Sequence, residues 1–190
     1  MTQVWARFVN RFDLAVAALL AWDEETLEVI TTHPLLRKFE KVFLVATYLG
    51  DGYLWAALAV GLAAFGRPVD RAYILMAMCV TTANIVIFRL FKALFARPRP
   101  LLIIRGPRAR LVDHHSFPSG HATTAFGIAS VIATVYPALW IQVLAYLVAI
   151  TIGLSRVYLK EHYPLDVLCG AALGSGTAAC LLPLFGRILF

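Results

Sequence analysis

The sequence predicts an all-α protein: a polytopic membrane helix bundle of five to six transmembrane helices, with an N-terminal amphipathic helix at the membrane interface. Three observations predict this class. Hydrophobic residues make up 61% of the 190 residues, and the mean hydropathy of +0.77 exceeds that of ordinary soluble domains. Charged residues are only 15% of the chain, and they occur in clumps. The apolar stretches between these clumps approach the length of about 20 residues that a membrane-spanning helix needs.

The N-terminal segment, residues 1–41, is predicted to lie at the interface. In its first 22 residues, charged side chains alternate with apolar and aromatic ones, which is the pattern of a helix lying in the interface plane. A short sixth span or re-entrant piece through residues 15–22 is the alternative. Residues 23–41 are polar enough to lie outside the membrane, with Pro34 as a break.

Five apolar spans follow, and with the N-terminal segment they are expected to form a single membrane-embedded domain over residues 1–190. Gly50-Asp51-Gly52 interrupts the first span, and Pro164 suits the start of the fifth. The fifth span carries a GxxxG motif at residues 170–174, which we expect to pack within the bundle rather than to form a dimer. The predicted spans, which make up the helix bundle of residues 42–190, are residues 42–65, 72–95, 120–136, 139–154 and 164–185.

The two larger connections, residues 96–119 and 155–163, are predicted to lie on one side of the membrane. Counting crossings, the second and fourth spans end on that side, and the third and fifth begin there. Polar residues at these four span ends therefore converge on one face. Ionisable residues next to apolar spans are costly and usually mark a functional site.

Cations and small polar residues at this face predict a phosphate-binding site. Lys92, Arg99 and Arg156 offer positive charge, and the planar fork of arginine matches phosphate oxygens. Gly120 permits close backbone approach, and amides at the start of the third span can donate to an anion. Ser119 adds a hydroxyl group. Phosphoryl transfer depends mostly on positioning and charge stabilisation, so we expect these residues to act without a metal ion or other cofactor.

Two histidines and an aspartate supply the reacting groups that phosphoryl transfer needs. His162 is the expected nucleophile, since imidazole attacks phosphorus well when a carboxylate holds its far nitrogen. Asp166 lies four residues later, and Pro164 between them predicts a turn that brings the carboxylate back to the imidazole. His121, on the other connection, is expected to protonate the leaving group and then to activate water. The expected cycle passes through a phosphohistidine intermediate.

Together these residues resemble the complete signature of the type 2 phosphatidic acid phosphatase family. All three parts are present, in order and without substitution: Lys92-x6-Arg99-Pro100, Pro118-Ser119-Gly120-His121 and Ser155-Arg156-x5-His162-x3-Asp166. The resemblance implies that His162 is the nucleophile, that Asp166 orients it and that His121 is the acid and base. It also implies phosphate binding by the remaining set: Lys92, Arg99, Ser119, Gly120 and Arg156.

The resemblance implies a metal-independent membrane lipid phosphatase that hydrolyses a terminal phosphate or diphosphate. Polyprenyl diphosphate, such as undecaprenyl diphosphate, and a glycerophospholipid phosphate, such as phosphatidylglycerophosphate, are the first expectations; phosphatidic acid and lipid A phosphate also fit. A lipid phosphotransferase with the same phosphohistidine and a non-catalytic lipid-binding membrane protein are the alternatives. The family also includes soluble vanadate-dependent haloperoxidases, which the high hydropathy and short length disfavour.

The expected partners are a lipid phosphate and the bilayer. The net charge of +6 does not indicate nucleic acid, because no basic stripe with interleaved aromatics occurs. The three cysteines lie in apolar runs without the spacing of a metal site.

Basic residues are more numerous on the site's side, which by the positive-inside rule would place the site in the cytoplasm. Bacterial members of the family mostly act on the outer face of the inner membrane, and we expect that orientation.

Other charged residues near the motifs have expected roles outside catalysis. Asp51 is expected to pair with a cation in a structural role, rather than to line a wet cavity. Arg89 is expected to pair within the bundle or to snorkel, and Arg97 to be a surface cation rather than a phosphate ligand. The arginines of the long connection would contact headgroups or anchor that loop: Arg105, Arg108 and Arg110.

Overall fold

The computed structural model describes residues 2–100 and 114–189, and within these ranges the chain is helical apart from its connections. An isolated bridge pairs Pro98 with His115 in antiparallel fashion. A π-helical turn, Leu49–Tyr53, joins the third and fourth helices. The helices are α1 (Thr2–Thr32), α2 (Pro34–Arg37), α3 (Glu40–Tyr48), α4 (Leu54–Phe65), α5 (Asp70–Phe95), α6 (Gly120–Val135), α7 (Leu139–Tyr158) and α8 (Pro164–Leu189).

The described helices confirm the all-α membrane bundle. Within residues 2–100 and 114–189, four stretches are long and apolar enough to cross a membrane: Glu40–Phe65, Asp70–Phe95, Leu139–Tyr158 and Pro164–Phe185. Helix α6 has only 16 residues, which at 1.5 Å per residue makes it about 24 Å long. It packs against α5, α7 and α8, so it occupies the centre of the bundle. The predicted spans agree with these helices to within a few residues at most ends.

Helix α1 extends further than the amphipathic pattern of its first 22 residues. It continues to Thr32 and is not among the candidate membrane spans. Asp23, which belongs to the polar segment predicted to lie outside the membrane, is fully buried within the protein. The chain breaks at Pro34 as expected, where Nδ1 of His33 accepts a hydrogen bond from the amide of Leu35 and caps α2.

Glycines of α8 allow it to pack closely against α6. A Cβ atom added at Gly170 would lie 2.7 Å from the carbonyl oxygen of Ser119. One added at Gly174 would overlap the carbonyl oxygen of Thr123. The expectation that the GxxxG motif packs within the bundle is therefore confirmed. This contact matters for the site because His121 lies in the first turn of α6 and α8 begins two residues after His162.

The π-helical turn between α3 and α4 interrupts the first span at the predicted glycines. Gly52 has a φ angle of 114°, a conformation that glycine adopts without the steric cost of a side chain. Gly50 lies against the next helices, since a Cβ there would lie 2.9 Å from both Cδ2 of His121 and Cγ2 of Ile152. Between these two glycines the turn carries Asp51.

Candidate functional site

A cavity of about 480 Å³ lies where the π-helical turn meets α5, α6, α7 and the connection before α8. All three predicted motifs contribute to its lining: Lys92 and Arg99 from the first, Gly120 and His121 from the second, and Arg156 and His162 from the third. The side chains converge because the ends of these helices lie on one side of the bundle. Asp51 lines the same cavity, contrary to the structural role expected for it, and Arg89 lines it as well.

The imidazole of His162 lies at the buried end of this cavity. Its Nε2 atom is 3.2 Å from Nη1 of Arg99, and its Nδ1 atom is 3.6 Å from Oδ2 of Asp166. The latter distance exceeds hydrogen-bond length, so the expected bond between Asp166 and His162 is not formed. The carboxylate instead accepts hydrogen bonds from the amide of Tyr163 at 2.9 Å and from Arg97 at 2.8 Å. Those two donors fix the rotamer of Asp166.

The surroundings of His162 favour its neutral form. Burial, followed by the positive charges of Arg156, Arg99 and Lys92, lowers the pKa of His162 well below its ordinary value of 6.5. Nδ1 of His162 has no hydrogen-bond partner among the described residues. A guanidinium nitrogen can only donate, so its position 3.2 Å from Nε2 fits a lone pair on that atom. A neutral imidazole with its lone pair towards the cavity has the form that a nucleophile needs.

Protein groups hold the three cations of the predicted phosphate-binding set in place. Lys92 donates to the carbonyl oxygen of His115 at 2.7 Å, and Arg99 donates to that of Glu161 at 2.7 Å. Arg156 contacts the hydroxyl of Thr47 and the carboxylate of Glu161. The cations are buried, so their geometry is largely set before any phosphate arrives, which is the arrangement that electrostatic catalysis requires.

Glu161 and Thr47 belong to this neighbourhood, and sequence reasoning did not single them out. Glu161 directly precedes His162 in the chain, and an acidic residue inside a cationic connection was the available signal. Thr47 offered none, because it lies 109 residues from Arg156 in the sequence. Only the packing of α3 against α7 brings those two residues together.

His121 has a carboxylate partner inside the cavity. Its Nε2 atom lies 2.7 Å from Oδ1 of Asp51. Both side chains remain partly accessible, with 21% and 22% of their surface exposed. Asp51 therefore pairs with the predicted acid and base, and both side chains line the cavity, whereas the expectation was a structural pair with a cation.

Ser119 and Gly120 form the start of α6 rather than a hydroxyl contact to the cavity. Ser119 is fully buried as the N-cap residue, with its Oγ atom 3.5 Å from the amide of Ala122. It is not among the residues that line the cavity. A Cβ atom added at Gly120 would lie 3.1 Å from the ring of Phe88, so this glycine lets α6 approach α5 closely.

Arg97 lies behind the cavity, between two fully buried carboxylates. It donates to Asp166 at 2.8 Å and to Asp23 at 2.7 Å, and its guanidinium lies 4.0 Å from the ring centre of Tyr163. Asp23 also accepts a hydrogen bond from the amide of Leu165 at 2.8 Å, at the start of α8. The expectation of a surface cation was therefore wrong. No local signal could reveal the Asp23 contact, because 74 residues separate it from Arg97.

The remaining arginines of the long connection, Arg105, Arg108 and Arg110, lie outside the described residues. Their expected contacts with headgroups or the interface stay predictions.

An apolar groove continues from the polar cavity. A second cavity of about 450 Å³ lies between α4, α5 and α6. It shares Gly52, Thr81 and Thr124 with the first cavity. Away from the shared residues its walls are mostly hydrophobic, and they include Trp55, Leu58, Leu62, Ile74, Met78, Ile128, Val131 and Val135. The polar cavity is thus continuous with an apolar one.

Comparison with known proteins gives consistent results. A family model described as the PAP2 superfamily matches residues 72–188. An undecaprenyl-diphosphatase from Sulfolobus acidocaldarius is 31% identical over 129 residues, which are 66% of this chain and 61% of that protein. The chain spans less than two thirds of the length of the first curated relatives that it matches.

Two solved structures have the same fold. The crystal structure of Aquifex aeolicus LpxE superposes with a TM-score of 0.68 at 31% sequence identity, covering 84% of this chain and 93% of that one. The first transmembrane PAP2-type phosphatidylglycerolphosphate phosphatase from Bacillus subtilis gives a TM-score of 0.72 at 24% identity, with coverages of 95% and 94%.

Proposed function

The chain belongs to the PAP2 superfamily, and from this premise we propose that it is an integral membrane lipid phosphatase that hydrolyses a terminal phosphate or diphosphate through a phosphohistidine. One observation carries the proposal. The buried imidazole of His162 lies among three fixed cations, in a cavity that continues into an apolar groove.

In the proposed first step, Nε2 of His162 attacks phosphorus. The low pKa of His162 supplies a neutral imidazole near pH 7, and Lys92, Arg99 and Arg156 balance the phosphate charge. As the N–P bond forms, the bond from phosphorus to the leaving oxygen breaks. Asp166, 3.6 Å from Nδ1, stabilises the positive charge that develops on the ring. Hydrogen bonds that are long in a free enzyme often shorten when substrate binds.

His121 then supplies the proton that the leaving oxygen needs. In the second step the neutral His121 takes a proton from water as that water attacks the phosphohistidine. The N–P bond breaks, inorganic phosphate leaves, and both histidines return to their starting forms. The amides at the start of α6, which Ser119 caps and Gly120 begins, are proposed to donate to the phosphate.

The groove supports a lipid rather than a soluble phosphate ester as substrate. A lipid whose headgroup phosphate lies in the cavity would place its chain along α4, α5 and α6. Burial of each methylene group there contributes about 0.8 kcal/mol to binding. Polyprenyl diphosphates and glycerophospholipid phosphates both meet this description. The undecaprenyl-diphosphatase among the relatives supports the first.

The proposed location is the bacterial inner membrane, with the cavity on its outer face. A cysteine placed at Lys160, in the connection before α8, tests this orientation in intact cells after Cys79, Cys169 and Cys180 are replaced by serine. Labelling by a membrane-impermeant maleimide before lysis supports the outer face. Labelling only after lysis would place the cavity in the cytoplasm.

Phosphate release by the purified protein in detergent tests the function. The panel is undecaprenyl diphosphate, phosphatidylglycerophosphate, phosphatidic acid and lipid A, with EDTA present throughout. We expect release from at least one lipid at an EDTA-insensitive rate. His162→Ala should lower that rate by about 10⁴-fold or more, because the nucleophile is lost, whereas the control His114→Ala, an exposed residue, should retain it.

Product analysis separates hydrolysis from transfer. In a mixture of two lipids, hydrolysis yields inorganic phosphate, whereas a phosphotransferase yields a newly phosphorylated lipid. Residual turnover in His162→Ala close to that of the wild type would contradict the nucleophile assignment. Loss of activity in EDTA would contradict the metal-independent mechanism.

A further inference from the structure

The π-helical turn of the first span places a carboxylate on the histidine that the proposed mechanism uses as its acid. Oδ1 of Asp51 is 2.7 Å from Nε2 of His121. The signature motifs do not include Asp51, and α3, α4 and their turn precede the residues matched by the family model. The contact therefore joins a segment outside the motifs to a residue inside them.

The backbone around Asp51 is shaped for this contact. Gly50 lies directly against the imidazole, because a Cβ atom there would lie 2.9 Å from Cδ2 of His121. Gly52 takes the φ angle of 114° that turns the chain into α4. Extra turns of this π type occur frequently at functional sites in helices. The π-helical turn places the carboxylate of Asp51 in the lining of the cavity.

The charges around His121 indicate what the carboxylate of Asp51 does. The other ionisable side chains that line the cavity are mostly cationic: Arg89, Lys92, Arg99 and Arg156, together with His162. Nearby positive charge disfavours a protonated imidazole. An acid that must hold a proton before catalysis therefore needs a local negative charge, and Asp51 is the carboxylate that lines this cavity in the described part of the chain.

We propose that Asp51 is the positioning residue of the general acid: it orients His121 and stabilises its protonated form, so that the imidazolium can protonate the leaving oxygen. This inference rests on the proposed phosphatase function. His121 gives one proton to the leaving oxygen as the P–O bond breaks, and it recovers one proton from the attacking water. Asp51 remains ionised throughout and forms no covalent bond.

The proposal predicts that the need for Asp51 depends on the leaving group. An alkyl phosphate leaves as a strongly basic alkoxide that requires a proton, whereas a nitrophenyl phosphate leaves as a weakly basic phenolate that does not. Asp51→Asn should lower kcat/KM at least tenfold for a long-chain alkyl phosphate, as part of the 10²–10⁴-fold effect of general acid catalysis. For a nitrophenyl phosphate carrying the same chain, the loss should be about twofold or less.

This comparison distinguishes a positioning role from a structural one. A variant in which the π-helical turn or the whole fold is disrupted loses activity on both substrates equally. Equal losses would therefore overturn the proposal. Retained turnover of the nitrophenyl substrate shows that the fold and His162 are intact. Asp13→Asn, at an exposed position of α1, is the matched control and should leave both rates unchanged.

A double-mutant cycle tests whether Asp51 acts through His121. If it does, adding Asp51→Asn to His121→Ala should change kcat/KM for the alkyl substrate by about twofold or less, because the acid is already absent. Independent, multiplying losses would overturn the proposal. If the wild type releases phosphate from neither substrate nor from the lipid panel, the proposed function itself fails, which is a different result from equal losses in an active enzyme.

Discussion

The two histidines of the site line the same cavity, but their immediate partners differ in charge. His162 lies against cations and is fully enclosed, while His121 contacts the carboxylate of Asp51. Opposite environments for paired titratable groups separate the roles of acid and base or nucleophile. These neighbours support the proposed roles of His162 as nucleophile and His121 as acid.

The lowered pKa of His162 predicts how stability changes with pH. Below about pH 6.5 the unfolded chain binds a proton at this residue that the folded protein does not. Stability should therefore fall as pH decreases, by up to about 1.4 kcal/mol per pH unit from this group. In His162→Gln, the drop in thermal midpoint between about pH 7.5 and pH 5.5 should be smaller than in the wild type, as measured by thermal unfolding in detergent.

His33→Asn is the control for that experiment. His33 is exposed, and asparagine keeps an acceptor at the cap of α2, so this variant should follow the wild-type pH dependence. If the thermal midpoint of His162→Gln drops as much as that of the wild type, His162 does not cause the pH dependence of stability.

At the scale of helices, contacts between distant elements hold the reacting groups in place. The α6–α8 contact sets the separation between His121 and His162. Asp23 of α1 accepts hydrogen bonds from Arg97 and from the start of α8, so the N-terminal helix supports the carboxylate of Asp166 through one guanidinium. Helix α1 is thus bonded to the helix that follows His162, which supports our proposal of a single domain over residues 1–190.

Glycine substitutions in α8 test the α6–α8 contact. Gly174→Ala should destabilise the protein by about 1–3 kcal/mol, because the added methyl group overlaps the backbone of α6 at Thr123. Gly176→Ala is the matched control two residues away, where an added Cβ meets nothing within 4 Å. It should be neutral or stabilising by up to about 1 kcal/mol, from helix propensity alone. Thermal midpoints in detergent measure both, and equal midpoints would show that the contact is not tight.

At the scale of the whole molecule, the polar cavity and the apolar groove form one continuous space that crosses from the helix ends into the bundle. In the proposed function, the reacting phosphate enters the cavity from the headgroup level while its chain lies in the apolar groove.

Filling the groove should lower kcat/KM for lipid substrates more than for soluble ones. Ala77 lines the groove on α5, and Ala77→Phe should lower kcat/KM for a long-chain lipid phosphate at least tenfold, about 1.4 kcal/mol. A short-chain phosphate ester should be affected less than threefold. Leu75→Phe, at an exposed position of the same helix, is the control. An equal loss on both substrates would indicate damage to the cavity instead of a blocked chain site.

The sequence by itself determined the membrane class, the positions of the spans and the set of motif residues on one face. These follow from local properties: apolar length, turn residues and the number of crossings between Lys92 and Asp166. The tertiary structure decided which partners those residues have. The bonds from Asp51 to His121, from Asp23 to Arg97 and from Thr47 to Arg156 join residues 70 to 109 positions apart. Helix packing brings these residues together, and no short sequence pattern predicts such contacts.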